Sequence, residues 1–161
     1  MITQQELKEL LHYNPETGIF TYKKKRPKCT PGKIAGTYHV NGYTHIQLNR
    51  KIYKAHRLAW LYVHGHFPQF IDHINCDRGD NRLCNLREAT LTQNNQNSKI
   101  SKNNTSGIKG ISWNKNASKW AATIGVNGKS IYLGIFDDLD LARLVVDEAR
   151  IKYHGNFLNH G

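Results

Sequence analysis

Residues 97–110 read "NSKISKNNTSGIKG", a polar, basic run rich in Ser, Asn and Gly. Such a stretch cannot bury enough apolar surface to pack, so it reads as a linker. It cuts the 161-residue chain into two unequal parts, each of which must find its own core. Only 39% of the residues are hydrophobic, which fits two small cores better than one large one. The expected organisation is a first domain over 1–99, a linker over 100–106 and a second domain over 107–161. The fold class expected for both is α+β.

The first part opens with "TQQELKELLHYNPETGIF". Thr3 followed by Glu6 has the spacing of a capping box, and Leu7, Leu10 and Leu11 give the helix behind it an apolar face. "NPETG" is a turn, and "IFTYKKK" alternates as a strand does. "GKIAGTYHVNGYTHIQLNRKIYK" reads as strands around a tight turn at Asn41-Gly42. "AHRLAWLYVHG" shifts toward a helix closed by Gly65. Beyond the linker, "IKGISWN", "KWAATIGV" and "KSIYLGIF" are strand-like, the last two joined at Asn127-Gly128. "DDLDLARLVVDEARIKYHG" then predicts a helix from Asp137 and Asp138 to Gly155. Its apolar positions Leu141, Leu144, Val145, Ala149 and Ile151 are expected to lie on the sheet.

Lys and Arg number 23 against 12 Asp and Glu, giving +11 and a pI near 9.7. A field of that sign attracts polyanions, nucleic acid foremost. No apolar run approaches the length that crosses a bilayer, so no membrane partner is expected. "MITQQELKELL" lacks the pattern of a signal peptide, and an intracellular location is expected. Cys29, Cys76 and Cys84 form no C-x-x-C pair and read as reduced thiols.

The densest chemistry lies in "FIDHINCDRGDNRLCNLREATLTQNNQN", residues 70–97. It predicts a strand, a polar loop, a second strand and a helix capped by Thr90 and Gln93. Asp72 and Asn94 are hard oxygen donors of the kind that suit Mg²⁺ or Mn²⁺. His73 has an ordinary pKa near 6.5 and can take a proton from water at neutral pH. A carboxylate, an amide and an imidazole around one phosphate describe metal-assisted phosphodiester hydrolysis.

This segment resembles the HNH nucleases, in particular the phage-type HNH homing endonucleases with a ββα-metal fold. The pattern D-H-x-N, D-N-R-x-x-N-L-R and Q-N-x-x-N is present in order, within the motif region 70–98. "YNPETGIFTYK", "AGTYHVNGYTHIQLN" and "YKAHRLAWLYVHG" resemble the part that precedes the motif in those proteins. The resemblance implies His73 as general base, Asp72 and Asn94 as ligands of one divalent ion, and Asn85 as the brace that orients the histidine. Asn81 and Asn95 are alternatives for the asparagine roles. His56 and Arg57 match the family too, with a supporting role behind the site. The paired C-x-x-C motifs of some HNH nucleases are missing, so no structural zinc is expected.

"GIKGISWNKNASKWAATIGVNGKSIYLGIFDDLDLARLVVDEARIKYHGNF" resembles the apetala-two (ethylene-response-factor) DNA-binding domain, which also occurs fused to HNH nucleases. The resemblance implies a three-stranded antiparallel sheet packed on one helix, its open face in the major groove. Carried over by position, the DNA-binding candidates are Lys109, Trp113, Lys115, Lys119, Trp120, Thr123, Lys129 and Tyr132. The three strands hold no arginine, which removes the commonest guanine contact. Strand alternation cannot put all eight on one face. The expected function is an HNH endonuclease, monomeric or homodimeric, that nicks or cleaves double-stranded DNA. The alternative is a non-cutting DNA-binding regulator with a remnant HNH unit.

Overall fold

The computed structural model describes residues 1–25, 29–98, 100–101 and 103–155. Positions 26–28 of "FTYKKKRPK", positions 99 and 102 around the linker and the "NF" that ends the second resemblance lie outside the described residues. The chain is mixed α+β and divides into two compact units, Met1–Glu88 and Ala89–Gly161.

In the first unit, helix α1 (Gln4–Leu10) starts at Thr3, whose side chain accepts from the Glu6 amide while Glu6 reaches back to the Thr3 amide. Leu11 leaves the helix and begins β1 (Leu11–Asn14), which pairs antiparallel with β2 (Ile19–Tyr22). A second antiparallel sheet has the order β3 (Thr37–Tyr38), β4 (Thr44–Leu48), β5 (Lys51–Lys54). The turn between β3 and β4 is the expected Asn41-Gly42 turn. Gly42 has φ 85°, a left-handed backbone that glycine adopts without strain. Helix α2 (Ala55–His64) follows directly and ends at left-handed Gly65. Leu7, Leu11, Phe20, Ile46, Leu48 and Leu58 are at most 2% exposed and form the centre of this core. Burial of each such side chain contributes about 1.5–3 kcal/mol before entropy is counted.

Strand β6 (Phe70–His73) leads to a polar loop and a short 3-10 turn, Leu83–Asn85. Strand β7 (Leu86–Ala89) then pairs with β6 in a two-stranded sheet.

The second unit begins with α3 (Leu91–Gln96), capped as expected by Thr90 and Gln93 in reciprocal hydrogen bonds. Asn104 and Ser106, placed in the linker by sequence, bond to the carbonyls of Ile108 and Ile111. Strands β8 (Ile111–Asn114), β9 (Lys119–Val126) and β10 (Lys129–Phe136) form an antiparallel meander, with α4 (Leu139–His154) packed on it. Asn127 and Gly128 both have positive φ, 51° and 76°, as a primed hairpin turn requires.

Helix α4 corrects the sequence reading in part: of the expected face Ala149 is buried, while Leu141, Leu144 and Ile151 are not. The side chains it buries are Ala142, Val146, Ala149 and Arg150, whereas Leu141, Leu144 and Ile151 are exposed. Both stripes have helical spacing. The small residues of the first allow close approach to the sheet, where Ile111, Ala122 and Val146 pack together. Arg150 is tolerated there because its guanidinium donates to Asp147 Oδ1 and to the Lys109 carbonyl.

Candidate active site

The loop between β6 and β7 laces itself together. The Asn75 side-chain oxygen accepts from the Asp77 amide at 2.9 Å, and Asp77 accepts from the Gly79 amide at 2.9 Å. The Asn75 side chain donates to Asp80 at 2.8 Å. Asn85 bridges the loop: its oxygen accepts from the Asn75 amide at 3.0 Å and its nitrogen donates to the Asp80 carbonyl at 2.9 Å. Short side chains that mimic backbone groups are what such a loop needs. Asp80 is held down to about 2 by hydrogen bonds from Arg82, whose guanidinium and amide both reach it.

Asp72 and His73 close β6 and are buried, 4% and 6% exposed. Arg87, on β7, donates from Nε at 2.8 Å and Nη2 at 2.7 Å to one carboxylate oxygen, Asp72 Oδ2. A buried carboxylate needs such a partner, and removing Arg87 would leave an uncompensated charge. Sequence reading placed no role on Arg87. The signal available was its place in the short strand that follows the loop.

The His73 ring sits in a small cluster of rings. Its centroid is 4.9 Å from that of His56 at 74°, edge to face, and 6.1 Å from that of Tyr43. Tyr43 is also 5.1 Å from His56. Burial lowers the His73 pKa, while the Asn81 side-chain amide and the carboxylates of Asp72, Asp77 and Asp80 act the other way. Asn81 is the residue held between His73 and the first hairpin, since its carbonyl accepts from the Tyr13 hydroxyl at 2.7 Å.

His56, read from sequence as a support, is 6% exposed, and burial pushes its pKa down to about 3, helped by His73, Lys54 and Arg57. Such a histidine takes its proton more readily in the unfolded chain. It therefore withdraws stability as pH falls below its ordinary 6.5, down to the folded value. Each pH unit in that window is worth about 1.4 kcal/mol. Between pH 7 and pH 5 the parent should lose about 2 kcal/mol more than His56→Phe, compared by urea unfolding at both values. Equal losses would contradict the burial argument.

The segment carrying this site has known counterparts. Residues 53–96 match the HNH endonuclease family. Over 113 residues the chain is 34% identical to Protein 3.8 of Escherichia phage T7, an alignment spanning 67% of this chain and 93% of that protein. The chain belongs to one family with Protein 3.8 and carries an HNH endonuclease domain at residues 53–96. No solved structure matches it. The HNH match runs from the end of β5 through α2, β6, the loop and β7 to the end of α3. It therefore contains His56, Asp72, His73, Asn85, Arg87 and Asn94. An HNH endonuclease domain implies DNA as the substrate. No helix among the described residues is long and apolar enough to cross a membrane.

Within the HNH segment, the first unit brings together Asp72, His73, Asn81 and Asn85. Asn94 stands in α3 of the second unit, half-buried, with Asn95 beside it and exposed. The DNA-binding candidates of the second unit divide. Trp113 pairs across the strands with Trp120, 4.8 Å apart edge to face, on the side of the sheet where Trp120 packs against the α4 core. Lys119 and Thr123 alternate with Trp120, Ala122 and Ile124 and so lie on the opposite face, with Tyr132 paired to Thr123. Lys119 meets Asp137 at 2.9 Å. Lys115 and Lys129 are exposed at the hairpin turns. The Lys109 ammonium donates to the carbonyls of Gln96 and Ser98 at 2.7 and 2.6 Å.

Proposed function

We propose that the chain is a divalent-metal-dependent endonuclease that hydrolyses phosphodiester bonds of double-stranded DNA. His73 is the general base, Asp72 and Asn94 hold the ion, and Asn85 braces the loop. The observation that carries this reading is the buried Asp72–His73 pair at the end of β6, inside the segment that matches HNH endonucleases.

The donor set fits a hard cation. Asp72 offers a carboxylate whose orientation is fixed by the Arg87 fork, and Asn94 offers an amide oxygen. Mg²⁺ or Mn²⁺ held there would offset the charge that builds on the phosphoryl oxygens. The protein's own part is proton transfer and positioning. A water O–H proton passes to the His73 imidazole as the water oxygen bonds to phosphorus and one P–O ester bond breaks, the leaving oxygen departing with the bonding pair and taking a proton from solvent. Asn85 and Asn81 keep the loop and the ring in place for that transfer.

In this reading the HNH segment supplies the ββα-metal motif of a nuclease domain over 1–99. The apetala-two-like domain over 107–161 adds affinity through Lys119, Thr123 and Tyr132 on its open face, with Lys115 and Lys129 on phosphates. One site per chain nicks one strand, and a double-strand break takes a homodimer or two visits.

The test is cleavage of supercoiled plasmid with Mg²⁺ or Mn²⁺ present. Asp72→Asn and Asn94→Ala should each lower the rate by at least the roughly 10–100-fold that loss of even an outer-shell partner costs. EDTA should abolish it. Full activity in EDTA would overturn the metal assignment.

A further inference from the structure

Lys54 and Arg78 both stand over the Tyr43 ring beside the base, and neither has a carboxylate partner among the described residues. Lys54 Nζ lies 4.0 Å from the centroid of the Tyr43 ring, and Arg78 Cζ lies 5.1 Å from it. The ion pairs of this unit among the described residues are His66–Glu88, Arg82–Asp80 and Arg87–Asp72, so neither Lys54 nor Arg78 has a carboxylate partner. Each cation is attracted to the face of the ring, and two positive charges held near one ring favour an anion there. The geometry is built rather than incidental. Arg78 Nη1 donates to the Asn41 carbonyl at 3.2 Å, which ties the HNH loop to the β3–β4 turn.

The same place is the start of α2. Lys54 is its N-cap residue and supplies no side-chain cap. The first amides of a helix need acceptors, and its dipole favours an anion there. His56 stands in that first turn, and its Nδ1 is buried without a hydrogen-bond partner. A buried polar atom left unpaired is costly.

We propose that Lys54 and Arg78 form a subsite for a backbone phosphate of the strand being cut. It neighbours the phosphate attacked at His73. The Tyr43 and His73 rings are 6.1 Å apart, less than two of the ~3.4 Å axial steps between phosphates on one strand. The inference rests on the nuclease reading and names a group that reading leaves without a role. Lysine serves as a point charge and arginine as a fork, and a phosphate accepts from both.

The experiment titrates the full chain against a labelled duplex in EDTA at several salt concentrations. Lys54→Gln with Arg78→Gln should make the dependence of log affinity on log salt shallower by about 0.9 for each lost contact. In Mg²⁺ the same variant should raise the KM for plasmid and leave kcat within about threefold, as loss of uniform binding does. The charge-keeping pair Lys54→Arg with Arg78→Lys should retain the parent slope, which separates charge from folding. A parent that nicks plasmid, with equal slopes for parent and glutamine variant, overturns the subsite alone. A parent that neither binds duplex nor nicks plasmid overturns the nuclease reading and the subsite with it.

Discussion

His73→Ala is expected to nick plasmid roughly 10²–10⁴-fold more slowly than the parent, the usual worth of a general base. The side chain ends β6, is 6% exposed and makes edge-to-face contact with His56. Burial favours the neutral ring, which is the form that accepts a proton. No phosphate contact is assigned to it, so affinity for duplex in EDTA should change little. Removing a buried ring also leaves a cavity, and some stability will be lost with it. Two further readouts keep chemistry apart from folding: the thermal midpoint, and partial recovery of rate when imidazole is added to the buffer. A variant that nicks at the parent rate would remove His73 from the role of base.

Gly18→Ala should produce the largest loss of stability from the smallest change. Gly18 ends the turn that joins β1 to β2, and its φ is +72°. A methyl group there would lie 2.5 Å from Arg82 N and 2.5 Å from the Asn81 carbonyl carbon, both backbone atoms of the HNH loop. The turn is tied to the same loop by the Leu83 amide, which donates to the Pro15 carbonyl at 3.0 Å. Left-handed backbone alone costs a non-glycine residue roughly 1–2 kcal/mol. Backbone that cannot swing aside raises the expected total above about 2 kcal/mol. Gly32→Ala is the matched control, since its φ is +82° and among the described residues nothing lies within 4 Å of the added carbon. Urea midpoints of the two variants should differ, Gly18→Ala being the less stable. Equal midpoints would mean that the hairpin does not brace the loop.

Much of this was legible in the sequence because it is local. Capping at Thr3 and Thr90, the turns at Asn41-Gly42 and Asn127-Gly128, and the stop at Gly65 depend on neighbours a few residues away. The Asp72–His73 pair and the amide-rich loop were legible for the same reason. What the sequence concealed is set by distant partners. Nothing local announces that Tyr43 meets His56 and His73, or that Arg87 forks onto Asp72. The face of α4 was misread at Leu141, Leu144 and Ile151, though not at Ala149, because two stripes share one period. Leu141, Leu144 and Ile151 carry more apolar surface, yet the smaller Ala142 and Ala149 are what the sheet can approach. Trp113 and Trp120, candidates for the DNA face, fall on the helix side by strand parity and pairing. Reading that from sequence requires knowing which strand face the helix covers.

The central claim is that the buried pair at the end of β6 cuts DNA. The most direct measurement follows purified full-length chain on supercoiled plasmid with Mg²⁺, alongside binding of a labelled duplex by the same sample. Supercoiled plasmid should convert to the open-circular form, and EDTA should arrest the conversion. Tight duplex binding with the plasmid still supercoiled at the end of the time course would contradict it, and would make the chain a DNA-binding protein that does not cut.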